Sequence, residues 1–467
     1  MSSSEEAFRV ETDSMGEVRV PAWAYWGAQT QRAVDNFSVS DLRIPVPFIR
    51  ALAIIKEASA SVNAGLGLIE RTIGDAIVKA AREVAEGKWD SHFPIDVFQT
   101  GSGTSWNMNA NEVIANRANE MLGSPLGAKK PVHPNDHVNR GQSSNDDIPT
   151  AINIADRLQA EELAGALEAL HRSLERKVSE LSNVLKLGRT HLQDAVPMTL
   201  GQEFSGYARQ MEKARELLLR CFPSLEELAI GGTAIGTGIN THRKFAPRVV
   251  KAISARSGIE FREARNRFEA IAARDAQVEL MGAANSIAVC IMKIANDLRL
   301  LASGPRTGLA EVVLPSLQPG SSIMPGKVNP VILEMAIQAA ARVMGSCLAV
   351  SIAGQTGPLE LNMMQPLIAW ETLGSLSLLA KTSRALAERC VDGIAADEKA
   401  CTGWIERSLA LVTPLALRIG YDRAAKLAQK ALAENRTIRE VVIEEGVLSS
   451  EEADRILDPR AMLGPEG

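Results

Sequence analysis

From Thr150 to Leu185 there is no proline, and Leu163, Leu167, Leu170, Leu174, Val178 and Leu181 recur every three or four residues. That spacing lays one apolar stripe along a single long amphipathic helix, because residues three and four apart share a helix face. Similar proline-free stretches cover Gly201 to Phe222, Arg248 to Gly304 and Val331 to Ile352. The last is apolar on almost every face, through Ile332, Leu333, Met335, Ala336, Ile337, Ala339, Ala340, Val343 and Met344. A helix with no wet side must be surrounded by other helices, its own or those of other subunits. The chain is therefore expected to be largely helical, a bundle of long helices packed on one another.

The rest of the chain fits around that bundle. Residues 7–47 hold Pro21, Pro45 and Pro47 and short alternating stretches such as Phe8–Val10 and Glu17–Val20, the pattern of a small hairpin or extended arm. From Phe48 helical periodicity takes over, and Lys88 to Pro94 interrupts it. After about Asp397 the helical units shorten, and Ser449 followed by Glu452 reads as a capping box. At 467 residues the chain exceeds what one core supports. It divides into an N-terminal domain (1–141), a central long-helix domain (142–397) and a small C-terminal helical domain (398–467).

A net charge of -5, a pI near 5.9 and the lack of any Lys/Arg block argue against nucleic-acid binding and attraction to anionic membranes. A negatively charged ligand would need cations concentrated locally. The five cysteines show no CxxC spacing, which suggests reduced structural thiols in a cytoplasmic protein. The first six residues carry no basic region followed by an apolar stretch, so no secretory signal is expected. The uncharged apolar run between Arg342 and Glu360 falls short of a bilayer span and reads as a buried helix.

Polar loops punctuate the helices at Gly101–Ser105, His133–Asp147, Gly188–Asp194 and Gly320–Asn329. The last packs glycines, serines, a lysine and an asparagine into loop chemistry suited to an anion, although an ordinary polar surface connection would look similar. It is not a Walker loop, since five residues separate Gly320 from Gly326 and Val328 stands where Ser or Thr is needed. Ile230–Asn240 looks superficially like a dinucleotide fingerprint, but Thr241 replaces the third glycine and no βαβ pattern surrounds it. His133, Asp136 and His137 invite a metal, yet Pro134 breaks helical i, i+4 geometry and no HExxH is present, so no metal or other cofactor is expected. Asn107, Asn109, Asn111 and Asn116, close together at one helix start, imply a hydrogen-bonding task or a string of caps.

If the loops converge, they offer many hydroxyls and amides, one lysine and one histidine, a set suited to a small anion with several oxygens. Removing a proton beside a carboxylate builds charge on that carboxylate, and Lys327 and Asn329 are donors that could meet it. A leaving group on the next carbon needs an acid near neutrality, for which His191 is the candidate. The alternative is a loop histidine bonded to a nearby carbonyl.

These residues resemble a known family. Gly320–Pro330 is similar to the signature of the fumarase/aspartase superfamily, and Gly101–Thr104, His133–Asp136, Ser143–Asn145, Gly188–Asp194 and Gly231–Ala234 match the class II fumarases. The resemblance covers essentially the whole chain. It implies an all-α homotetramer whose long central helices form a twenty-helix bundle, with each active site drawn from three subunits. It also implies reversible, metal-free hydration of fumarate to (S)-malate, as in the tricarboxylic acid cycle. On this sequence Ser321 would be the base, His191 the acid, directly or through a water, and Glu334 of a neighbouring chain its partner. Lys327 and Asn329 would meet the growing charge. Ser102, Gly103, Thr104, Ser143, Ser144, Asn145, Thr190, Ser322 and Val328 would help them hold the dicarboxylate. Lys130, His133, Pro134, Asn135 and Asp136 resemble an accessory anion site.

The sequence departs from the usual fumarase pattern at Ser105–Trp106, which could alter pocket shape, at Lys130, where arginine is usual, and at Val331–Leu333. Aspartate ammonia-lyase is the rival reading. Ser102, Ser144, His133 and Gly232 favour fumarase over it.

Overall fold

The computed structural model describes residues 7–464; the first six residues, on which the expectation about a secretory signal rests, lie outside the described residues. As expected, the chain opens on a hairpin. Strand β1 (Phe8–Asp13) pairs antiparallel with β2 (Gly16–Pro21), Phe8 facing Pro21 and Asp13 facing Gly16. Helices α1 (Ala28–Asn36), α2 (Val46–Gly65), α3 (Arg71–Ala85) and α4 (Thr104–Met121) follow. Helix α2 starts behind Pro45 and carries Pro47 in its first turn, where a missing N–H costs nothing. It packs against α3 and against the helix Phe245–Ser257, which explains why apolar residues occupy most of its circumference.

The asparagines of α4 are internal ties rather than caps. Asn109 donates to the His92 carbonyl (2.9 Å), Asn116 to that of Tyr25 (2.8 Å) and Asn119 to that of Val132 (2.8 Å). Each satisfies an irregular backbone segment that would otherwise be buried without a partner.

Helix α5 (Ser144–Glu180) is the long helix anticipated from the leucine spacing, and Leu163, Leu167, Leu170 and Leu174 are all buried. It begins earlier than expected and runs through Pro149. Pro149 is the sixth residue of the helix, beyond the N–H groups left free at its start, so it removes the bond that would reach the Asn145 carbonyl. Leu185–Thr190, expected to be partly helix and partly loop, is strand β3, paired antiparallel with β4 (Gln193–Thr199). Helix α6 (Leu200–Arg220) follows.

The stretch from Arg248 to Gly304 is not one helix. Gly258, at φ 76°, ends the helix Phe245–Ser257, the Asn266 side chain caps Arg267–Ala272, and a new helix runs over Asp275–Leu301. A left-handed glycine and a capping asparagine interrupt a helix as firmly as a proline. Asp275–Leu301 and Val331–Gly354 are each long and apolar enough to cross a membrane by length and composition. The uncharged run that starts after Arg342 covers only the later part of the second helix, which begins eleven residues before Arg342, at Val331. In the isolated chain this helix leaves Leu348 and Ile352 exposed.

The chain forms two compact units, each assembled from separate segments. The first comprises residues 1–164, 217–286 and 342–379, and the second 165–216, 287–341 and 380–467. The core of the first gathers Phe48, Ile55, Ile77, Trp106, Ile148, Ile152 and Phe245. In the second, Leu187 of β3 packs with Leu411, Leu415, Leu427, Val441 and Ala453 of the short C-terminal helices. There the Ser449–Glu452 capping box is present, with Glu452 N–H donating to Ser449 Oγ at 3.2 Å and Ser449 N–H to Glu452 Oε2 at 2.9 Å.

Within the first unit Asp156 is fully buried, accepting from Thr372 Oγ1 (2.8 Å) and Gln277 Nε2 (3.3 Å). Burial pushes its pKa from 3.8 up to about 7, against the pull of those donors. The folded protein thus keeps this proton to higher pH than the unfolded chain, so stability is lost as pH rises from the unfolded value through about 7. Asp156→Asn should escape that loss. Its melting temperature relative to the parent should climb between about pH 4 and pH 7 and then level off; a difference independent of pH would refute this.

Candidate active site

The expected site residues fall into clusters, each built by a local device. In the first unit, Gly101–Gly103 lead into the N-terminus of α4, where unpaired N–H groups and the helix dipole favour an anion. A Cβ at Gly101 would lie 1.9 Å from the Met363 carbonyl oxygen, so only glycine fits. Ser102 Oγ and Thr104 Oγ1 sit 2.8 Å apart, both accessible. Trp106 does not shape this surface: its ring is wholly buried against Phe48, centroids 5.1 Å apart. Ser105 lies in the first turn of α4, its Oγ 3.3 Å from that of Thr100.

The Ser143–Asn145 turn opens α5 in the same unit. The Asp146 carboxylate behind it accepts from the N–H groups of Ser143 (2.8 Å), Gly231 (2.9 Å) and Thr233 (2.8 Å). Asn145 Nδ2 donates to the Ala234 carbonyl at 2.8 Å. The glycine-rich segment Ile230–Asn240, which superficially resembles a dinucleotide fingerprint, is therefore the mount for the serine turn. Burial and the adjoining Asp147 push Asp146 up to about 7, while its N–H donors pull it back.

Lys130, His133 and Asp136 border a hollow of about 600 Å³, also lined by Lys129 and His137. Pro134–Val138 form one π-helical turn capped by His133, whose Nδ1 accepts from the N–H groups of Asn135 and Asp136, both at 3.2 Å. His137 Nδ1 accepts from His133 N–H at 2.8 Å. Both Nδ1 atoms are thus turned toward the backbone, and His133 keeps Nε2 for an outside partner.

In the second unit, Thr190 and His191 lie at the end of the β3–β4 hairpin. His191 and Leu192 form its two-residue turn, with φ of 54° and 61°. Two successive left-handed residues make the turn type that matches strand twist, a strained conformation for both side chains. The hairpin is braced below its tip by the wholly buried Glu311, which meets Arg189 Nη1 at 2.8 Å and Lys186 Nζ at 3.0 Å.

The Gly320 loop of the second unit is closed on itself. Gly320 N–H donates to the Lys327 carbonyl (2.7 Å), and Asn329 Nδ2 donates to the Gly320 carbonyl (2.7 Å). A Cβ at Gly320 would meet Asn329 N at 2.7 Å. Inside the loop Ser321 Oγ accepts from the N–H groups of Ile323 (3.2 Å) and Met324 (3.0 Å). Ser322, Lys327 and Val328 are exposed on it. Lys327, Val328, Asn329 and Glu334 share a hollow of about 950 Å³ with Arg299. Among the described residues no hydrogen bond or ion pair joins Glu334 to His191 within one chain.

Sequence reading passed over Lys56, Asn139 and Asp146, which support the serine turn, and Glu311, which braces the hairpin. A lone Lys–Glu pair interrupting the apolar run Ala51–Ala60 was the available signal for Lys56.

A lyase family profile matches residues 16–345, and a profile of the fumarase C C-terminus matches residues 411–464. The chain is 51% identical over 467 residues to the mitochondrial fumarate hydratase of Rattus norvegicus, spanning 99% of this chain and 92% of that protein. It is 50% identical over 461 residues to a class II fumarate hydratase of Bradyrhizobium diazoefficiens, spanning 98% and 97%. The crystal structure of recombinant class II fumarase from Schistosoma mansoni has the same fold, with a TM-score of 0.95, 41% identity, and coverage of 99% of this chain and 100% of that one. The cytoplasmic assignment does not survive these comparisons: similar relatives from rat, mouse and human are mitochondrial, others are bacterial, and the compartment is not determined. Two matching profiles, half-identity along nearly the full length and a shared fold establish that this chain belongs to the class II fumarate hydratase family.

Proposed function

We propose that this protein is a fumarate hydratase, a hydro-lyase that interconverts fumarate and (S)-malate by proton abstraction and hydroxyl elimination. In the dehydration direction Ser321 Oγ, as alkoxide, takes the C3 proton of malate, and the electron pair left behind spreads onto the adjacent carboxylate. Lys327 and Asn329 supply positive charge and an N–H donor where that charge grows. The C2–O bond then breaks, and the hydroxyl leaves as water with a proton from His191, directly or through an intervening water. Glu334 of a neighbouring subunit orients and polarises the imidazole.

The observation that carries the reading is the pair of N–H groups aimed at Ser321 Oγ. A serine hydroxyl is a feeble base at neutral pH. Donors prearranged on its oxygen favour the alkoxide as an oxyanion hole favours a tetrahedral intermediate. Ser102, Gly103, Thr104, Ser143, Ser144, Asn145, Thr190, Ser322 and Val328 hold the two carboxylates, and Lys130 with His133–Asp136 forms a separate anion site. A homotetramer in which three chains contribute to each site explains why long helices such as Val331–Gly354 leave apolar side chains uncovered in one chain.

The purified protein should produce the ultraviolet absorbance of fumarate from L-malate and none from L-aspartate. Absorbance from aspartate alone would replace this reading by an ammonia-lyase, and none from either substrate would end it.

A further inference from the structure

Lys56 lies in the middle of α2, is completely buried, and has no part in the chemistry above. Its ammonium donates to Asn139 Oδ1 (3.0 Å), Gln142 Oε1 (3.0 Å) and Asp147 Oδ2 (2.5 Å). All three acceptors belong to the segment that leads into and out of the Ser143–Asn145 turn. Asn139 Oδ1 also accepts from Asn107 Nδ2 and Asn111 Nδ2, each at 3.1 Å, while Asn139 Nδ2 returns to the Gln142 carbonyl at 3.1 Å. Asn107 Nδ2 lies 3.1 Å from Ser144 Oγ as well. An unbroken chain of hydrogen bonds therefore runs from a buried cation through Asn139 and Asn107 to the Ser144 hydroxyl.

We propose that Lys56 is a positioning residue: gathering Asn139, Gln142 and Asp147 on its ammonium, it holds the serine turn and aims Ser144 Oγ at a substrate carboxylate. The proposal rests on the reading of Ser143–Asn145 as a carboxylate cradle. Its physical basis is that a Ser hydroxyl rotates freely unless a donor fixes its lone pair. Asn107 Nδ2 is such a donor, and it leaves the Ser144 O–H to point outward. Asn107 is in turn fixed by Asn139, which the buried ammonium polarises. Burying a lysine is costly, and a carboxylate alone would offset the charge. The two further amide acceptors go beyond neutralisation, and both lie in the segment that ends in the serine turn.

The single change Lys56→Met would strand the Asp147 carboxylate and could unfold the chain, so the informative variant is Lys56→Met with Asp147→Leu, which removes both charges at once. In the full-length protein it should fold and associate like the parent. Its KM for fumarate and for malate should rise about tenfold or more with kcat changed much less, the signature of lost ground-state and transition-state binding in equal measure. Glu57→Gln, which loosens the neighbouring α2 contacts to Arg82 and Arg256 without touching the network, should leave KM unchanged. A folded double variant with parental KM would overturn the proposal. If the double variant does not fold, Asn107→Leu, which cuts the same path and leaves the ion pair in place, should raise KM, and a parental value would overturn the proposal equally. Amide hydrogen exchange over residues 139–147 gives a readout independent of turnover. If the parent itself turns over neither substrate, the fumarase reading fails, and unchanged exchange in the double variant then decides against Lys56.

Discussion

Ser321→Ala should lower kcat for malate dehydration by about 10²–10⁴-fold, the usual contribution of a positioned proton acceptor. The two N–H groups now received by Ser321 Oγ would lose their acceptor, but the loop is largely exposed and water can replace it. Folding should therefore stay within about 0.5 kcal/mol of the parent, as for other surface substitutions. Because the hydroxyl acts on C3 rather than holding the carboxylates, KM should move far less than kcat. Stopped assays with malate, combined with circular dichroism and sedimentation of the variant, measure all three quantities. A folded variant retaining kcat within a few-fold of the parent would remove Ser321 as the base.

Glu311→Ala should destabilise the second unit by about 3–5 kcal/mol, the range for breaking a buried ion pair on one side. Its carboxylate is fully buried and is shared between Lys186 and Arg189. Lys186 keeps a second partner in Glu203 (2.5 Å), so the loss falls most heavily on Arg189 at the base of the His191 turn. Urea denaturation followed by tryptophan fluorescence should show a lower midpoint with a similar slope, the mark of lost stability rather than an altered unfolded state. His191 sits in a left-handed turn that the hairpin must impose, so turnover should fall as well. A midpoint equal to the parent's would show that Glu311 contributes no net stability at this position.

The two variants probe opposite kinds of placement. Ser321 is partly exposed and arranged by its own loop, so its neighbours within three residues decide its state. His191 is exposed too, but the groups that hold its turn in place reach across 122 residues, from Arg189 to Glu311. Local chemistry of the first kind can be anticipated from Gly320–Pro330 alone. The second kind cannot, because nothing about a glutamate after an alanine marks it as the future partner of a distant arginine.

The helical class, the long α5, the opening hairpin, the Ser449–Glu452 cap and the chemical character of the polar loops were all legible in the residues. Each of these depends on residues a few positions apart, where periodicity, capping and turn preference act directly. The loop expected over Gly188–Asp194 proved to be part of the β3–β4 hairpin, which residues alone could not show because strand pairing depends on a partner segment. The same holds for the way Asn109, Asn116 and Asn119 tie down irregular backbone, Trp106 fills the core instead of the pocket, and Ile230–Asn240 mounts the serine turn. The buried charges Lys56, Asp146 and Glu311 were invisible for the same reason: a charged residue is tolerable in a core only with its counterpart, and that counterpart comes from elsewhere in the chain.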